Sequence, residues 1–189
     1  MLTAYIAMGA NLPSPAGPPD ATLAAAAARL EEVGRIVARS SLYSTEPVGL
    51  ADQPRFTNAV VALETPLDPR ALLNALLDLE RAFGRNRAQS VPNGPRALDL
   101  DILLMGDLRI SEPGLELPHP RLADRAFVLV PLCEIAPDAV DPVQHRTIAQ
   151  LLDALPAVDR RDVLPIDSPH WPAHAPAAGA YPPSRAKTS

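Results

Sequence analysis

Leu98-Asp99-Leu100-Asp101-Ile102-Leu103-Leu104-Met105 is the stretch on which the reading turns. Apolar and acidic residues alternate through its first half, the period of a strand with one face buried and one polar. Residues two apart share a face, so Asp99 and Asp101 point one way while Leu98, Leu100 and Ile102 point the other. Gly106-Asp107 then predicts a turn into a short strand, 108–110.

Working upstream, Asp68-Pro69 is a helix start, with a side chain able to cap and a proline suited to the first helical position. Leu72, Leu73, Leu76, Leu77 and Leu79/Glu80 follow helical spacing as far as Phe83-Gly84. Before it, 56–63 reads as a strand, 45–54 as a loop and 35–44 as one further strand. The alanine-rich run from Asp20, which can cap, to Val33 reads as a helix, and 2–8 as the first strand. Downstream, 112–120 reads as a loop. Residues 121–135 are helical in pattern with Pro131 as a kink or boundary, and 147–155 form a short helix. The order strand, helix, strand, strand, helix, strand predicts an α+β, ferredoxin-like sandwich: a mostly antiparallel sheet with helices packed on its faces. One domain over 1–164 is expected. The proline- and alanine-rich segment 165–189 is expected to be a disordered tail.

Composition narrows the function. A net charge of −5 argues against a nucleic-acid binder. No apolar run approaches the roughly 20 residues of a membrane span, and 1–8 lacks the pattern of a signal peptide, so the cytoplasm is the expected compartment. Cys133 is the only cysteine, which excludes an intrachain disulfide and a cysteine zinc cluster. Lys187 is the only lysine. A phosphate site in this chain would therefore be built from arginine, whose planar fork binds phosphate oxygens in pairs.

Arg85 and Arg87 lie in the loop 85–95, and Arg96 stands three residues before Asp99. Spacing alone fits two solvated acids on a half-exposed strand as well as it fits a Mg²⁺ site. Each arginine taken singly fits an ordinary surface loop. Together, two acids and several arginines are what phosphoryl transfer needs, because that chemistry is mostly positioning and charge neutralisation.

The run Asn93-Gly94-Pro95-Arg96-Ala97-Leu98-Asp99-Leu100-Asp101-Ile102 resembles the signature of the 6-hydroxymethyl-7,8-dihydropterin pyrophosphokinase family. Further segments agree with it in order: Tyr5 to Leu12, Ser44 to Gly49, Asp52 to Ala59, Leu117-Pro118-His119-Pro120-Arg121, Arg125 to Leu129, and Pro131 to Pro137. The resemblance spans roughly residues 2 to 155. It implies diphosphate transfer from Mg-ATP to the hydroxymethyl group of a reduced pterin in folate synthesis, with AMP released.

Carried over residue by residue, the resemblance assigns Asp99 and Asp101 to two Mg²⁺ ions. It gives Arg85 and Arg96 catalytic charge neutralisation, and Glu80, Arg87, Arg96, Ile102, His119 and Arg125 ATP contacts. Phe56 and Phe127 would stack on the pterin, with Asn58, Thr45, Pro47 and Val48 reading its edge. The loop 88–93 lacks the Arg-Trp that many members carry before Gly-Pro-Arg. Small-molecule substrates, a monomer, and no nucleic-acid or membrane partner are expected. A nucleotidyltransferase using the same acids, and a non-catalytic ferredoxin-like nucleotide- or small-ligand-binding module, are the competing readings.

Overall fold

A computed structural model describes residues 1–50, 52–85 and 93–172. The first strand, β1 (Leu2–Ala10), is central, and α1 (Pro19–Leu30) follows it. Then come β2 (Arg35–Arg39), β3 (Leu42–Thr45) and the long β4 (Phe56–Thr65), and α2 (Pro69–Ala82) leads to β5 (Asp99–Met105). The sheet runs β10-β3-β4-β1-β5, where β10 is Leu164–Ile166, and β2 also pairs β4. Every one of these pairings is antiparallel. With β2 and β3 counted as one broken strand, this is the ferredoxin-like arrangement expected from the element order.

The remaining elements form a small hairpin, β6 (Ile110–Glu112) and β7 (Leu115–Leu117), and a 3₁₀ turn, Leu122–Asp124. Next are α3 (Ala126–Ile135), the short pair β8 (Val140–Asp141) and β9 (Arg146–Thr147), α4 (Ile148–Ala154) and α5 (Ala157–Arg161).

Two apolar layers sandwich the sheet. On one side Ala4, Ile6, Met8 and Ala10 of β1, with Leu100 and Ile102 of β5, pack under α1 and α2 through Leu23, Ala26, Ala27, Leu30, Leu72 and Leu76. On the other side Val60 and Leu103 meet Leu122, Val128, Leu129, Leu132, Ile148 and Leu151. The alanine faces of α1 let it lie close to the sheet, where Ala26 and Ala27 are fully buried.

Several sequence expectations hold in detail. Asp68 accepts the Ala71 N–H at 2.8 Å, with Pro69 at the first helical position. The short helix expected over 147–155 is α4, and the structure adds a reciprocal cap of Thr147 and Gln150 at its start.

Others are corrected. Asp20 does not cap α1. Pro18 holds that position, and Asp20 lies in the first turn, where it accepts the Ser168 hydroxyl at 2.7 Å. The strand expected over 35–44 is broken. Arg39 faces Val61 and Tyr43 faces Asn58, which leaves an extra residue at Ser40-Ser41. There Ser40 Oγ takes the Val60 N–H at 2.9 Å, replacing a ladder acceptor. The loop expected over 112–120 holds β7, and the short strand shifts to β6. The helix expected from Arg121 begins at Ala126. Pro131 stays inside it, without the bond its N–H would have given the Phe127 carbonyl.

The boundary expected at 164/165 also moves. β10 pairs β3, and Trp171 is 5% exposed with its indole N–H donating to the Ser40 carbonyl at 2.8 Å. Burial of that ring and the added strand make 165–172 part of the domain. Residues 173–189 lie outside the described residues.

Candidate active site

On one face of the sheet α3 packs against β4 and β3, with α4 beside it. The same face holds a cleft of about 260 Å³, lined from β1 by Ala7 and Gly9, from β4 by Phe56 and Asn58, and from β5 by Asp99 and Asp101. Arg85, Arg96, His119, Arg121, Arg125 and Phe127 close round it, with Thr45, Glu46 and Val48 at one lip.

The register explains why these side chains meet. Asp99 pairs with Gly9, and Asp101 with Ala7. Gly9 on its other side pairs with Asn58. A Cβ at residue 9 would lie 2.8 Å from Asn58 Oδ1, so a side chain there would displace the asparagine from the cleft floor. Asn58 Nδ2 donates to Thr45 Oγ1 at 2.7 Å, fixing the two as a polar pair beside Phe56.

Asp99 is held by both flanking arginines. Arg85 Nη1 bonds Asp99 Oδ1, and Arg96 Nη1 donates to Asp99 Oδ2 at 2.9 Å. Arg85 is anchored from behind by Glu80, whose Oε1 accepts it at 2.6 Å and also accepts the Leu100 N–H at 2.8 Å. Glu80 is 1% exposed and does not line the cleft, so it stands as the buried support of Arg85. Arg85 Nε and Arg96 Nε are buried without a hydrogen-bond partner among the described residues. Buried polar atoms are almost always paired, and these two sit on the guanidinium groups that flank the cleft.

The electrostatics tell the same story. Burial, and then repulsion from Asp99, push the Asp101 carboxyl above its ordinary range, with His119, Arg125 and Arg85 offsetting part of that. Burial works against the charge on Arg85, but Asp99 and Glu80 outweigh it and hold the guanidinium above its ordinary value. Burial, and then crowding by Arg121, press Arg125 below its own. Burial lowers His119, with Asp101 opposing. Its Nδ1 accepts the Arg121 N–H at 3.1 Å, so the neutral ring keeps its hydrogen on Nε2 as a donor. The cleft thus crowds two carboxylates, one of them held by Arg85 and Arg96, beside the further positive charge of Arg121 and Arg125.

The donor set suits magnesium. Among the described residues no cluster of three or more His, Cys, Asp or Glu is placed to hold a metal. Two carboxylates are what a hard cation needs when it arrives carrying phosphate oxygens and water.

Both aromatic rings carry a guanidinium, Arg96 5.2 Å from the Phe56 centroid and Arg125 5.3 Å from that of Phe127. A second cavity, of about 280 Å³, lies against the same acid. It is lined by Leu73, Asp101, Ile102, Leu115, Glu116 and His119. Asp101 and His119 border both cavities, and Ile102 belongs to the second.

Of the residues singled out in the sequence, Asp99, Asp101, Arg85, Arg96, Arg125, His119, Thr45, Val48, Phe56, Asn58 and Phe127 converge on the first cleft. Pro47 does not line it, although both its neighbours do, and Arg87 lies outside the described residues, as does 88–92. Sequence reasoning missed Arg121, which stands in the Pro-His-Pro-Arg segment itself. It also missed Glu46, beside Thr45.

An acid pair under a cluster of arginines, beside flat rings, on a ferredoxin-like sheet defines an enzyme of the class that handles a polyanion together with a planar partner. The comparisons with known proteins then fix the family. The model of the 7,8-dihydro-6-hydroxymethylpterin-pyrophosphokinase family matches residues 5–137. A 2-amino-4-hydroxy-6-hydroxymethyldihydropteridine pyrophosphokinase of Pseudomonas aeruginosa is 47% identical over 80% of this chain and 91% of its own length. One from Methylorubrum extorquens is 44% identical, over 74% of this chain and 86% of its own. Among solved structures, the wild-type HPPK-DHPS of Plasmodium falciparum superposes with a TM-score of 0.63 at 16% identity. That match covers 80% of this chain and 44% of the larger one, and shows the likeness of fold. This chain belongs to the 7,8-dihydro-6-hydroxymethylpterin-pyrophosphokinase family. Among the described residues no helix is long and apolar enough to cross a membrane.

Proposed function

We propose that the protein transfers the β,γ-diphosphate of ATP to the hydroxymethyl oxygen of 6-hydroxymethyl-7,8-dihydropterin, releasing AMP, as a step of folate synthesis. The observation that carries this reading is the strand acid pair Asp99 and Asp101 lining one cleft with Arg85, Arg96 and Arg125, the first two of which hold Asp99.

Asp99 and Asp101 would hold Mg²⁺, two ions on the family pattern. Bound there, the metal supplies neutralisation of triphosphate charge and polarisation of the reacting oxygens. Arg85, Arg96, Arg121 and Arg125 would take phosphate oxygens. Arg85 and Arg96 would exchange their present bonds to Asp99 for bonds to the substrate as the carboxylate turns to the metal. His119, neutral and donating from Nε2, would add a hydrogen bond without another charge. Leu73, Ile102 and Leu115 offer an apolar wall suited to a purine next to the phosphates.

Phe56 and Phe127 would stack on the pterin, while Asn58 and Thr45 bond its polar edge. Among the described residues the cleft contains no strong free base, so the attacking hydroxyl would lose its proton with help from the acid pair and its metal. Closure of the lip at Thr45 to Leu50 over the cleft would exclude water. Glu80 would act through Arg85. We place the protein in the cytoplasm, as a monomer without nucleic-acid or membrane partners.

Incubation with ATP, Mg²⁺ and the reduced pterin tests this by product identity. Equal amounts of AMP and pterin diphosphate are expected. Release of pyrophosphate would mark a nucleotidyltransferase, and Mg²⁺-independent ATP binding without turnover would mark a binding module.

A further inference from the structure

Residue 162, far along the chain from the acids and arginines, reaches the cleft's lip. The lip is the segment 45–54, of which Thr45, Glu46 and Val48 line the cleft. Its first stem leaves β3, and its second enters β4 through Arg55. Asp162, at the C-terminal end of α5, binds both. Its Oδ2 accepts the Glu46 backbone N–H at 2.7 Å. Its Oδ1 and backbone carbonyl accept Arg55 Nη2 at 3.3 and 3.2 Å. The same guanidinium bonds the Glu46 carboxylate, and donates to Ser44 Oγ at 2.8 Å and to the Ser44 carbonyl at 3.2 Å.

Asp162 is itself held in place. Two residues later Leu164 pairs with Ser44 in the sheet, and Trp171 locks the following segment to Ser40.

An isolated surface ion pair contributes little. This group differs because one carboxylate takes a backbone amide from the loop's entry and a guanidinium from its exit. A loop with a tied neck samples fewer conformations when empty and loses less freedom when it closes on a ligand.

We propose that Asp162 is a positioning residue. Through Glu46 and Arg55 it sets the neck of the 45–54 loop, and with it the affinity for the planar substrate. This rests on the function proposed above. Because the clamp touches the loop and none of the phosphate-side groups, its loss would act on pterin binding and spare the ATP side.

The test compares the full-length wild type with Asp162→Ala, and with Asp162→Asn, which keeps an oxygen for the Glu46 amide but drops the charge. Steady-state kinetics are measured for each substrate, together with hydrogen exchange at the backbone amides of Glu46, Val48, Gly49 and Leu50. For the alanine variant we expect pterin KM to rise about tenfold, with kcat and ATP KM within about threefold, and faster exchange in the loop. The asparagine variant should fall between it and the wild type.

A folded alanine variant with unchanged pterin KM overturns the proposal. So does one in which kcat and both KM values fall out of range together, since that is the mark of a general structural loss. If the wild type makes no AMP, the functional reading fails by itself. The exchange data then still decide the clamp, and unchanged protection at the Glu46, Val48, Gly49 and Leu50 amides in the alanine variant refutes it.

Discussion

The two faces of β5 do different work. Leu98, Leu100 and Ile102 face α1 and α2 in an apolar layer whose edge, at Ile102, borders the second cavity, while Asp99 and Asp101 face a half-open cleft crowded with charge. Seven residues of strand thus carry core packing and candidate chemistry side by side, separated by the pleat alone. The lesson is that stability and activity should be separable here residue by residue, and substitutions can test how cleanly.

The largest expected effect is on the cleft face. Asp101→Ala should lower kcat by roughly a thousandfold or more while leaving the fold intact, and Asp99→Ala should lower it as far with some loss of stability, because Arg85 and Arg96 lose their shared partner. AMP formation and a thermal melt measured on the same samples check this. In the other direction, Leu100→Ala should cost about 3 kcal/mol of stability by leaving a cavity, with turnover per folded molecule near that of the wild type. Denaturant titration beside the AMP assay reads both quantities.

Glu80 is where the separation should break. Glu80→Gln keeps an acceptor for the Leu100 amide but withdraws the charge behind Arg85. A loss of about 2 kcal/mol is expected together with a fall in kcat, because a buried guanidinium is left undercompensated. An unfolding curve and a kcat that both match the wild type would show Glu80 to be a bystander. The smallest effect is expected at Gly9. Gly9→Ala should raise pterin KM about tenfold, roughly 1.4 kcal/mol, by pushing Asn58 off the cleft floor, with ATP KM unchanged.

How far these features could be read from sequence follows from their chemistry. The alternation at Leu98–Ile102 and the Asp68-Pro69 cap are local signals, and both appear as expected. Glu80 was half visible. It falls four residues after Leu76, on the face that helical spacing buries, but only the fold shows what a buried acid there is paired with. The break at Ser40-Ser41 could not be seen, because a bulge depends on the partner strand's register.

β10 was hidden by its own Pro165. A proline argues against a strand unless the strand lies at a sheet edge, which is where β10 sits, pairing only β3 among the described residues. Trp171 stands among small residues and prolines, with no periodic neighbours to announce that it is buried. The convergence of Arg125, His119 and Phe127 on Asp101 joins segments that the sequence leaves apart, and it came into view only through the family resemblance.

The most direct test of the central claim is calorimetric titration of a non-hydrolysable ATP analogue into the wild type and into Asp101→Asn, each with and without Mg²⁺. The account predicts tight binding to the wild type only when Mg²⁺ is present, and loss of that metal dependence in Asp101→Asn. Equal affinity for the wild type in both conditions, or an unchanged metal dependence in the variant, would contradict it.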